Sequence, residues 1–150
     1  MTLLYLVRHG QTEWSRSGRH TSVTDLDLTD LGVAQATSLR ERLDPRDFGL
    51  VLSSPRLRAR RTAELAGFGD HEVCDDLAEW FYGDFEGLTS PQIRERYPGW
   101  RIWFNGCPGG ESADEVRARL TRVVARVRAS GVARAICFGH GHASRVLALC

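Results

Sequence analysis

The feature that most constrains the fold is a short apolar run near the start of the chain that ends abruptly in polar residues. The run covers residues 3–7 and stops at Arg8, His9 and Gly10. Short apolar runs bounded by turn residues usually form buried strands. We therefore predict a buried first strand that carries a cation and an imidazole at its carboxyl end.

Two later apolar runs end in the same way, one at Ser53 and Ser54 and the other at His140. Helical patterns fill the chain between and after these runs: residues 29–43 with Thr29 as N-cap, residues 55–67 with Ser54 as N-cap, residues 112–131 with a capping box of Ser112 and Glu115, and residues 142–150. Strands that alternate with helices predict an α/β fold, with three α/β/α layers around a largely parallel sheet.

The length and composition favour one domain over residues 1–150. The 150 residues, 42% of them hydrophobic, are enough to build a single core. Residues 70–110 show no regular pattern apart from a short helix over residues 90–99, so we expect an irregular insertion over one edge of the sheet. The formal net charge of +1 provides no broad field for a nucleic acid or a membrane surface, and we expect neither as a partner.

The cysteines and the first residues indicate the cellular compartment of the protein. The four cysteines have neither the spacing of a zinc site nor that of a disulfide framework, which favours free thiols in a reducing cytoplasm. The opening apolar run is too short for a signal peptide, and no stretch approaches the length of a membrane span. We therefore expect a cytoplasmic protein, and the sequence leaves open a homodimer.

The polar residues at the strand ends are expected to meet, because ligands of parallel sheets bind beyond the carboxyl ends of the strands. Arg8, His9, Arg58 and His140 would then face one pocket. Guanidinium groups offer fixed pairs of donors that match phosphate oxygens, and the helix start at Pro55 adds backbone donors. The sequence therefore predicts a pocket for a phosphoryl group.

The histidine at the first strand end indicates what chemistry this pocket performs. A neutral imidazole is a good nucleophile near pH 7 and can carry a phosphoryl group covalently. The departing alkoxide then needs a proton, and a carboxylic acid in a partly apolar setting suits this role because burial favours its neutral form. Glu79 lies in such a setting in LAEWFYG, and Glu13, Asp84 and Glu86 compete with it on the residues alone.

A series of motifs follows in a specific order: LVRHGQTEW (residues 6–14), GRHT (18–21), LDLTDLGVAQA (26–36), SSPRLRARRTA (53–63), LAEWFYGDFEGL (77–88), GGES (109–112) and FGHGHASR (138–145). The series resembles the histidine phosphatase superfamily, also called phosphoglycerate-mutase-like. Within that family the chain is most similar to bacterial acid-phosphatase-type members and sugar-phosphate phosphatases. The resemblance implies a phosphoglycerate-mutase-like fold.

The resemblance also implies roles for individual residues. His9 would be the nucleophile that forms a phosphohistidine, and Glu79 would protonate the leaving group and then activate water. Arg8, Arg58 and His140 would hold the phosphoryl oxygens. The residues on the substrate side would be Gln11, Ser15, Thr21, Ser22, Tyr82 and Gly141. The resemblance implies no metal ion and no organic cofactor.

Together these observations favour a phosphomonoesterase that hydrolyses a small phosphorylated metabolite through a phosphohistidine, with broad-specificity acid phosphatase activity. Mutases of the family carry extra basic residues that grip a second phosphate, whereas residues 97–112 contain only one, Arg101. Two alternatives stay open: a phosphoglycerate mutase-type phosphotransferase, and a non-catalytic module that binds phosphate esters.

The end of the sequence departs from the family pattern. Family members usually continue past the FGHGHASR segment, whereas this sequence stops at Cys150 within an apolar run. We therefore expect that the C-terminal part of the fold is missing, together with a sheet edge and one wall of the pocket. A naturally short version of the domain is the alternative.

Overall fold

A four-stranded parallel sheet forms the centre of the fold, and helices cover both of its faces. The computed structural model describes all 150 residues. The strands are β1 (Leu3–Arg8), β2 (Leu50–Ser53), β3 (Glu72–Val73) and β4 (Arg134–Gly139), and the helices are α1 (Glu13–Arg16), α2 (Asp30–Ser38), α3 (Leu57–Leu65), α4 (Ser90–Arg96), α5 (Ile102–Asn105), α6 (Ala113–Ala129) and α7 (Gly141–Leu147). The strand order is β1-β4-β2-β3, and every neighbouring pair is parallel. The predicted α/β fold class is confirmed.

The central strand β4 shows how the sheet separates two cores. Successive side chains of a strand point to opposite faces. Ala135 and Cys137 accordingly join the larger core with α6 and α7, whereas Ile136 and Phe138 join a smaller core with α3. Helix α6 contributes a stripe of residues at helical spacing: Val116, Leu120, Val123 and Val127. The three predicted layers are therefore present.

The predicted N-caps are right in two cases and wrong in one. Thr29 caps α2 by accepting a hydrogen bond from the amide of Gly32, and Ser112 caps α6 through the predicted box with Glu115. Helix α3, however, begins at Leu57 and has no side-chain cap. The hydroxyl of Ser54 does accept a hydrogen bond from the amide of Arg56 at 3.3 Å, but residues 55 and 56 lie outside the helix, so this bond caps no helical turn. The same hydroxyl also bonds Nε2 of His140.

The insertion is irregular, as expected, but its aromatic residues belong to the main core. Trp80, Phe85 and Trp100 are at most 6% exposed and pack in the larger of the two cores. The predicted short helix is α4, which starts at Ser90 after Thr89 as N-cap. The two-residue strand β3 and the one-turn helices α1 and α5 are too short to leave a periodic pattern in the sequence.

Two glycines bring the loop after β1 directly against the start of α2. A Cβ atom on Gly10 would lie 2.4 Å from the carbonyl oxygen of Gly32. A Cβ atom on Gly32 would lie 2.2 Å from the carbonyl oxygen of Gln11. Heavy atoms do not approach so closely, so only glycine fits at either position. The contact fixes the loop that carries His9.

Strand β1 lies at one edge of the sheet, beside an apolar groove. Residues along this groove include Leu4, Leu6, Val127 and Leu147. The homodimer that the sequence leaves open stays a prediction. No helix combines the length and the apolar character needed to cross a lipid bilayer.

Candidate active site

The polar residues that follow three of the strands meet at the carboxyl ends of these strands. His9 follows β1, Ser54 follows β2 and His140 follows β4. A cavity of about 210 Å³ opens there, and only one of its 13 lining residues is hydrophobic. The lining residues are Arg8, His9, Ser15, Gly18, Arg19, His20, Thr21, Glu79, Tyr82, Ser90, Gly141, His142 and Arg145. The cavity therefore suits a polar ligand.

His9 presents one unprotonated nitrogen. Its Nδ1 atom lies 2.7 Å from the carbonyl oxygen of Gly10, which can only accept a hydrogen bond, so Nδ1 carries the proton. In the neutral ring the Nε2 atom then has a free lone pair. Burial, together with the charges of Arg58 and Arg8, lowers the pKa of His9 from 6.5 to about 4. The side chain is therefore neutral, and able to act as a nucleophile, over most of the acidic range.

His140 is completely buried beside His9, with the two ring centroids 5.3 Å apart. Its Nε2 atom lies 2.7 Å from the hydroxyl oxygen of Ser54, while its Nδ1 atom is buried without a hydrogen-bond partner. Burial is the main cause that lowers the pKa of His140 well below 6.5, and the positive charge of Arg58 adds to it. The ring is therefore neutral, and because His140 does not line the cavity, its contact with a phosphoryl group stays a prediction.

The two predicted arginines occupy different positions in the site. Arg8 is exposed to the cavity and forms no ion pair, and its guanidinium group lies against Gly141. Arg58 is fully buried and does not line the cavity. Its Nη atoms donate to the carbonyl oxygens of Thr21, Ser22 and Thr24, while Nε has no partner. Three of its five N–H donors are thus used for this loop, and two remain.

The structure distinguishes Glu79 from the other acids that compete for the proton-donor role. Glu79 is 6% exposed, lines the cavity and accepts hydrogen bonds from the amides of Trp80, His142 and Ala143 at 2.8–3.1 Å. The last two amides belong to the first turn of α7. Backbone donors therefore hold the carboxylate in one position at the cavity wall.

The competing acids have other partners or lie outside the cavity. Glu13 is exposed and pairs with Arg16, and Asp84 does not line the cavity. Glu86 accepts hydrogen bonds from the amides of Ser22 and Thr24. It therefore holds the same loop that Arg58 holds from the other side, a role that the sequence does not reveal.

Arg119 of α6 supports the segment that carries Glu79. Its Nη atoms donate to the carbonyl oxygens of Asp76, Ala78 and Glu79, and its guanidinium group pairs with Glu111 at 2.7 Å. Glu111 in turn accepts a hydrogen bond from the amide of Phe81. Because these residues lie far apart in the chain, no local pattern predicts the support.

Four of the six residues predicted on the substrate side line the cavity: Ser15, Thr21, Tyr82 and Gly141. The other two lie outside it. The side-chain oxygen of Gln11 accepts a hydrogen bond from the hydroxyl of Thr29 and serves the contact with α2. Ser22 is buried and its amide donates to Glu86.

Further residues line the cavity that the sequence interpretation did not assign to it. They are Gly18, Arg19, His20, Ser90, His142 and Arg145. Most of them lie within or next to the motifs GRHT and FGHGHASR, and that position is the signal that could have identified them. No group of three or more histidine, cysteine, aspartate or glutamate residues is arranged to hold a metal ion.

The model of the histidine phosphatase superfamily, branch 1, matches residues 4–150. The chain belongs to the histidine phosphatase superfamily. Among the curated relatives of this histidine phosphatase is the acid phosphatase of Mycobacterium tuberculosis, which is 46% identical over 147 residues. That match covers 96% of this chain and 72% of the relative. The sequence resemblance is thereby confirmed.

Other relatives differ in the activity that their names describe. Sedoheptulose 1,7-bisphosphatase of Saccharomyces cerevisiae is 38% identical, and the match covers 95% of this chain and 65% of that protein. A 2,3-bisphosphoglycerate-dependent phosphoglycerate mutase of Methylobacterium radiotolerans is 33% identical, with 98% and 77% covered. The chain therefore spans about two thirds to three quarters of the length of these relatives.

The fold is shared with solved structures. The structure of the protein from an open reading frame of Mycobacterium tuberculosis superposes on this chain with a TM-score of 0.90 at 44% identity. The match covers 96% of this chain and 76% of that one. A protein of Thermus thermophilus superposes with a TM-score of 0.81 at 40% identity, covering 95% of this chain and 81% of that one. The predicted phosphoglycerate-mutase-like fold is therefore confirmed.

Proposed function

We propose that this histidine phosphatase is a phosphomonoesterase that hydrolyses a small phosphorylated metabolite through a phosphohistidine on His9. The observation that carries the proposal is the state of His9 itself. Its Nδ1 proton is engaged by Gly10, which leaves Nε2 as a free nucleophile in a cavity that also contains Arg8 and Glu79. A nucleophile, a cation and a carboxyl group are what transfer of a phosphoryl group requires.

In the first step, Nε2 of His9 attacks phosphorus and the bond from phosphorus to the ester oxygen breaks. Glu79, in its protonated form, gives its proton to that oxygen, so that an alcohol leaves. Arg8, which lines the cavity, donates to the phosphoryl oxygens, and the positive charge of the buried Arg58 adds to the stabilisation of their negative charge. The neutral ring of His140 packs against the ring of His9 and supports the position of the nucleophile.

In the second step, water replaces the imidazole on phosphorus. Glu79, now a carboxylate, accepts one proton from the water as the oxygen attacks, and the bond between phosphorus and Nε2 of His9 breaks. Inorganic phosphate leaves, and both residues return to their starting states. The sum of the two steps is the hydrolysis of one phosphate ester to an alcohol and phosphate.

Broad-specificity acid phosphatase activity is the form of this reaction that we favour. Its support is the acid phosphatase among the relatives and the low pKa of His9, which keeps the nucleophile unprotonated at acidic pH. We also propose a cytoplasmic setting, since all four cysteines are free thiols and a reducing compartment keeps them so.

The test is phosphate release from a panel of phosphomonoesters between about pH 4 and 8, with the wild-type chain and His9→Ala. Protein quenched in alkaline detergent is examined for a phosphoryl adduct that is stable in base and labile in acid. We expect turnover and an adduct that disappear together in His9→Ala. The matched control is His71→Ala, because His71 lies outside the cavity and bonds the carbonyl oxygen of Phe68. Turnover that survives in His9→Ala would overturn the proposal.

A mutase-type phosphotransferase is the second candidate, and the phosphoglycerate mutases among the relatives favour it. A mutase returns the phosphoryl group to a bound intermediate, whereas a phosphatase transfers it to water. Added bisphosphoglycerate is therefore expected not to stimulate transfer between phosphoglycerate isomers. Stimulation by orders of magnitude would favour the mutase.

A further inference from the structure

The GGES motif (residues 109–112) lies outside the main cavity, and its backbone presses against the segment that carries Glu79. The amide of Glu111 donates to the carbonyl oxygen of Phe81 at 2.9 Å. A Cβ atom on Gly110 would lie 2.2 Å from that same carbonyl oxygen, so only glycine fits there. The motif therefore serves the position of a neighbouring segment and does not contact a ligand in the cavity.

Glu111 holds the two residues that follow Glu79. Its Oε2 atom accepts a hydrogen bond from the amide of Phe81 at 2.9 Å. Its carbonyl oxygen accepts a second hydrogen bond from the indole Nε1 of Trp80 at 2.8 Å. With the bond from the Glu111 amide, three hydrogen bonds join this one residue to positions 80 and 81.

Arg119 holds the same segment on the other side of Glu79. Its Nη1 atom donates to the carbonyl oxygens of Asp76 and Ala78, and its Nη2 atom donates to that of Glu79. Two further bonds, from Nε at 2.7 Å and from Nη2 at 3.0 Å, join Arg119 to the carboxylate of Glu111. All five N–H donors of the guanidinium group are therefore used.

The ion pair of Glu111 and Arg119 is largely shielded from water, with side chains that are 21% and 12% exposed. It connects the backbone before Glu79 to the backbone after it. A general acid must lie within hydrogen-bond distance of the atom that it protonates, and a displacement of about 1 Å can slow a reaction by about 10². The backbone on both sides of the acid is thus held where small movements are costly.

We propose that Glu111 and Arg119 are positioning residues that hold Glu79 at the place from which it protonates the leaving group. They act through Glu79 and contact no substrate. The proposal rests on the proposed function, in which Glu79 is the proton donor, and it gives the GGES motif a role in the reaction. A pair that only stabilised the fold would instead lower the turnover of every ester alike.

The experiment measures kcat of Glu111→Gln for propyl phosphate and for p-nitrophenyl phosphate with the same protein preparation. Glutamine keeps the shape but replaces one acceptor oxygen by a donor, which then faces the donors of Arg119 or Phe81. We expect kcat to fall about 10–10²-fold for propyl phosphate and by at most about threefold for p-nitrophenyl phosphate, whose phenolate leaves unaided. The ratio of the two values does not depend on the folded fraction, so a purely structural loss leaves it unchanged.

Arg122→Gln is the matched control. Arg122 lies on the same helix and pairs with Asp76 of the same segment, but its side chain is 64% exposed and holds no residue next to Glu79. We expect its ratio of kcat values to stay within about twofold of the wild type.

A second variant and a second background test whether the effect passes through the acid. Arg119→Lys keeps the charge but loses the planar set of donors, so its ratio should change in the same direction as that of Glu111→Gln. In a Glu79→Gln background, neither substitution should change the ratio further, because the acid through which both act is already absent. A further change in that background would overturn the inference.

Amide hydrogen exchange separates failure of this inference from failure of the proposed function. The amides of His142 and Ala143 donate to the Glu79 carboxylate, so their protection reports its position even if no ester is hydrolysed. We expect their protection to fall at least about tenfold in Glu111→Gln and to stay unchanged in Arg122→Gln.

Unchanged protection of these amides in Glu111→Gln overturns the inference, whether or not esters are hydrolysed. Equal losses for the two esters in Glu111→Gln also overturn it, provided that Glu79→Gln itself distinguishes them. If Glu79→Gln does not distinguish them, the proposed role of Glu79 fails, and the exchange result alone decides whether the pair positions this carboxylate.

Discussion

The Nη2 atom of Arg58 lies 3.0 Å from the carbonyl oxygen of Thr21, so a buried residue beneath the cavity is bonded to the loop that forms its wall. The guanidinium group that holds the loop is also the one whose positive charge is proposed to act on the phosphoryl group. Arg58→Lys keeps the charge but loses the planar set of five donors. We expect kcat/KM to fall by about 10²–10³ and the free energy of unfolding by about 2 kcal/mol, measured by steady-state kinetics and urea unfolding.

Glu86→Gln is the variant that shows how much the kinetics depend on the position of the loop over residues 21–24. Glu86 binds the amides of Ser22 and Thr24 in the same loop but does not line the main cavity. We expect a raised KM and a kcat within about tenfold of the wild type. If Arg58→Lys and Glu86→Gln gave the same kinetics, Arg58 would act through the loop alone.

Glu79→Gln should slow the hydrolysis of an ester more when the leaving group needs a proton to depart. We expect kcat for propyl phosphate to fall by about 10²–10³, because an alkoxide leaves poorly without protonation. The loss for p-nitrophenyl phosphate should be much smaller, because that phenolate leaves unaided. Equal losses for the two esters would count against Glu79 as the acid. Glu13→Gln, at an exposed residue paired with Arg16, is the control.

The low pKa of His9 predicts how activity changes with pH. Protonation removes the lone pair of Nε2, so kcat/KM should fall about tenfold per pH unit below a pH of about 4. A profile that already declines between about pH 7 and 6, in step with an ordinary histidine, would contradict this state of His9.

The same pKa predicts how stability changes with pH. Between about pH 4 and 6.5 the unfolded chain binds a proton at His9 that the folded chain does not bind. Stability therefore falls as the pH is lowered through this range, and above about pH 6.5 the effect is absent. We expect the wild type to lose about 2–3 kcal/mol more than His9→Gln between about pH 7 and 4.5, measured by urea unfolding. Equal losses of stability in the wild type and in His9→Gln would contradict a lowered pKa of His9 in the folded chain.

Ser54→Ala should affect turnover more than binding. The Ser54 hydroxyl is the group that bonds Nε2 of His140, and its removal frees the ring to change its protonated nitrogen. We expect kcat to fall about tenfold with KM within about threefold of the wild type. Ser53→Ala is the control, since the Ser53 hydroxyl bonds a neighbouring carbonyl and not His140. The prediction fails if the two serine variants behave alike.

The parts of the fold that depend on local sequence could be predicted. The strand before Arg8 and the capping box of Ser112 and Glu115 are set by residues within a few positions of one another. The predicted cap at Ser54 is wrong because the helix begins only at Leu57, and the Ser54 hydroxyl has a further partner 86 positions away that no local pattern contains.

The site shows the same division between near and distant partners. His9 and Glu79 could be identified as candidates from the residues that surround them. The sequence could not reveal the hydrogen bonds by which Arg58 and Glu86 hold residues 21–24, nor the support that Arg119 gives to Glu79. Each of these contacts joins segments that are brought together only by the sheet and the insertion. Polar partners that are distant in the chain are therefore what the sequence could not predict.

The backbone contact between Gly10 and Gly32 means that this part of the support of the nucleophile contains no side chain that could adapt. Larger residues usually absorb a nearby change by moving to another rotamer, but a carbonyl oxygen pressed against a Cα atom has no such freedom. A shift of α2 by a fraction of an ångström would accordingly be passed on to Gly10, the residue next to His9. Variation in the outer face of α2 is thus a route by which residues remote from the cavity could retune its reactivity.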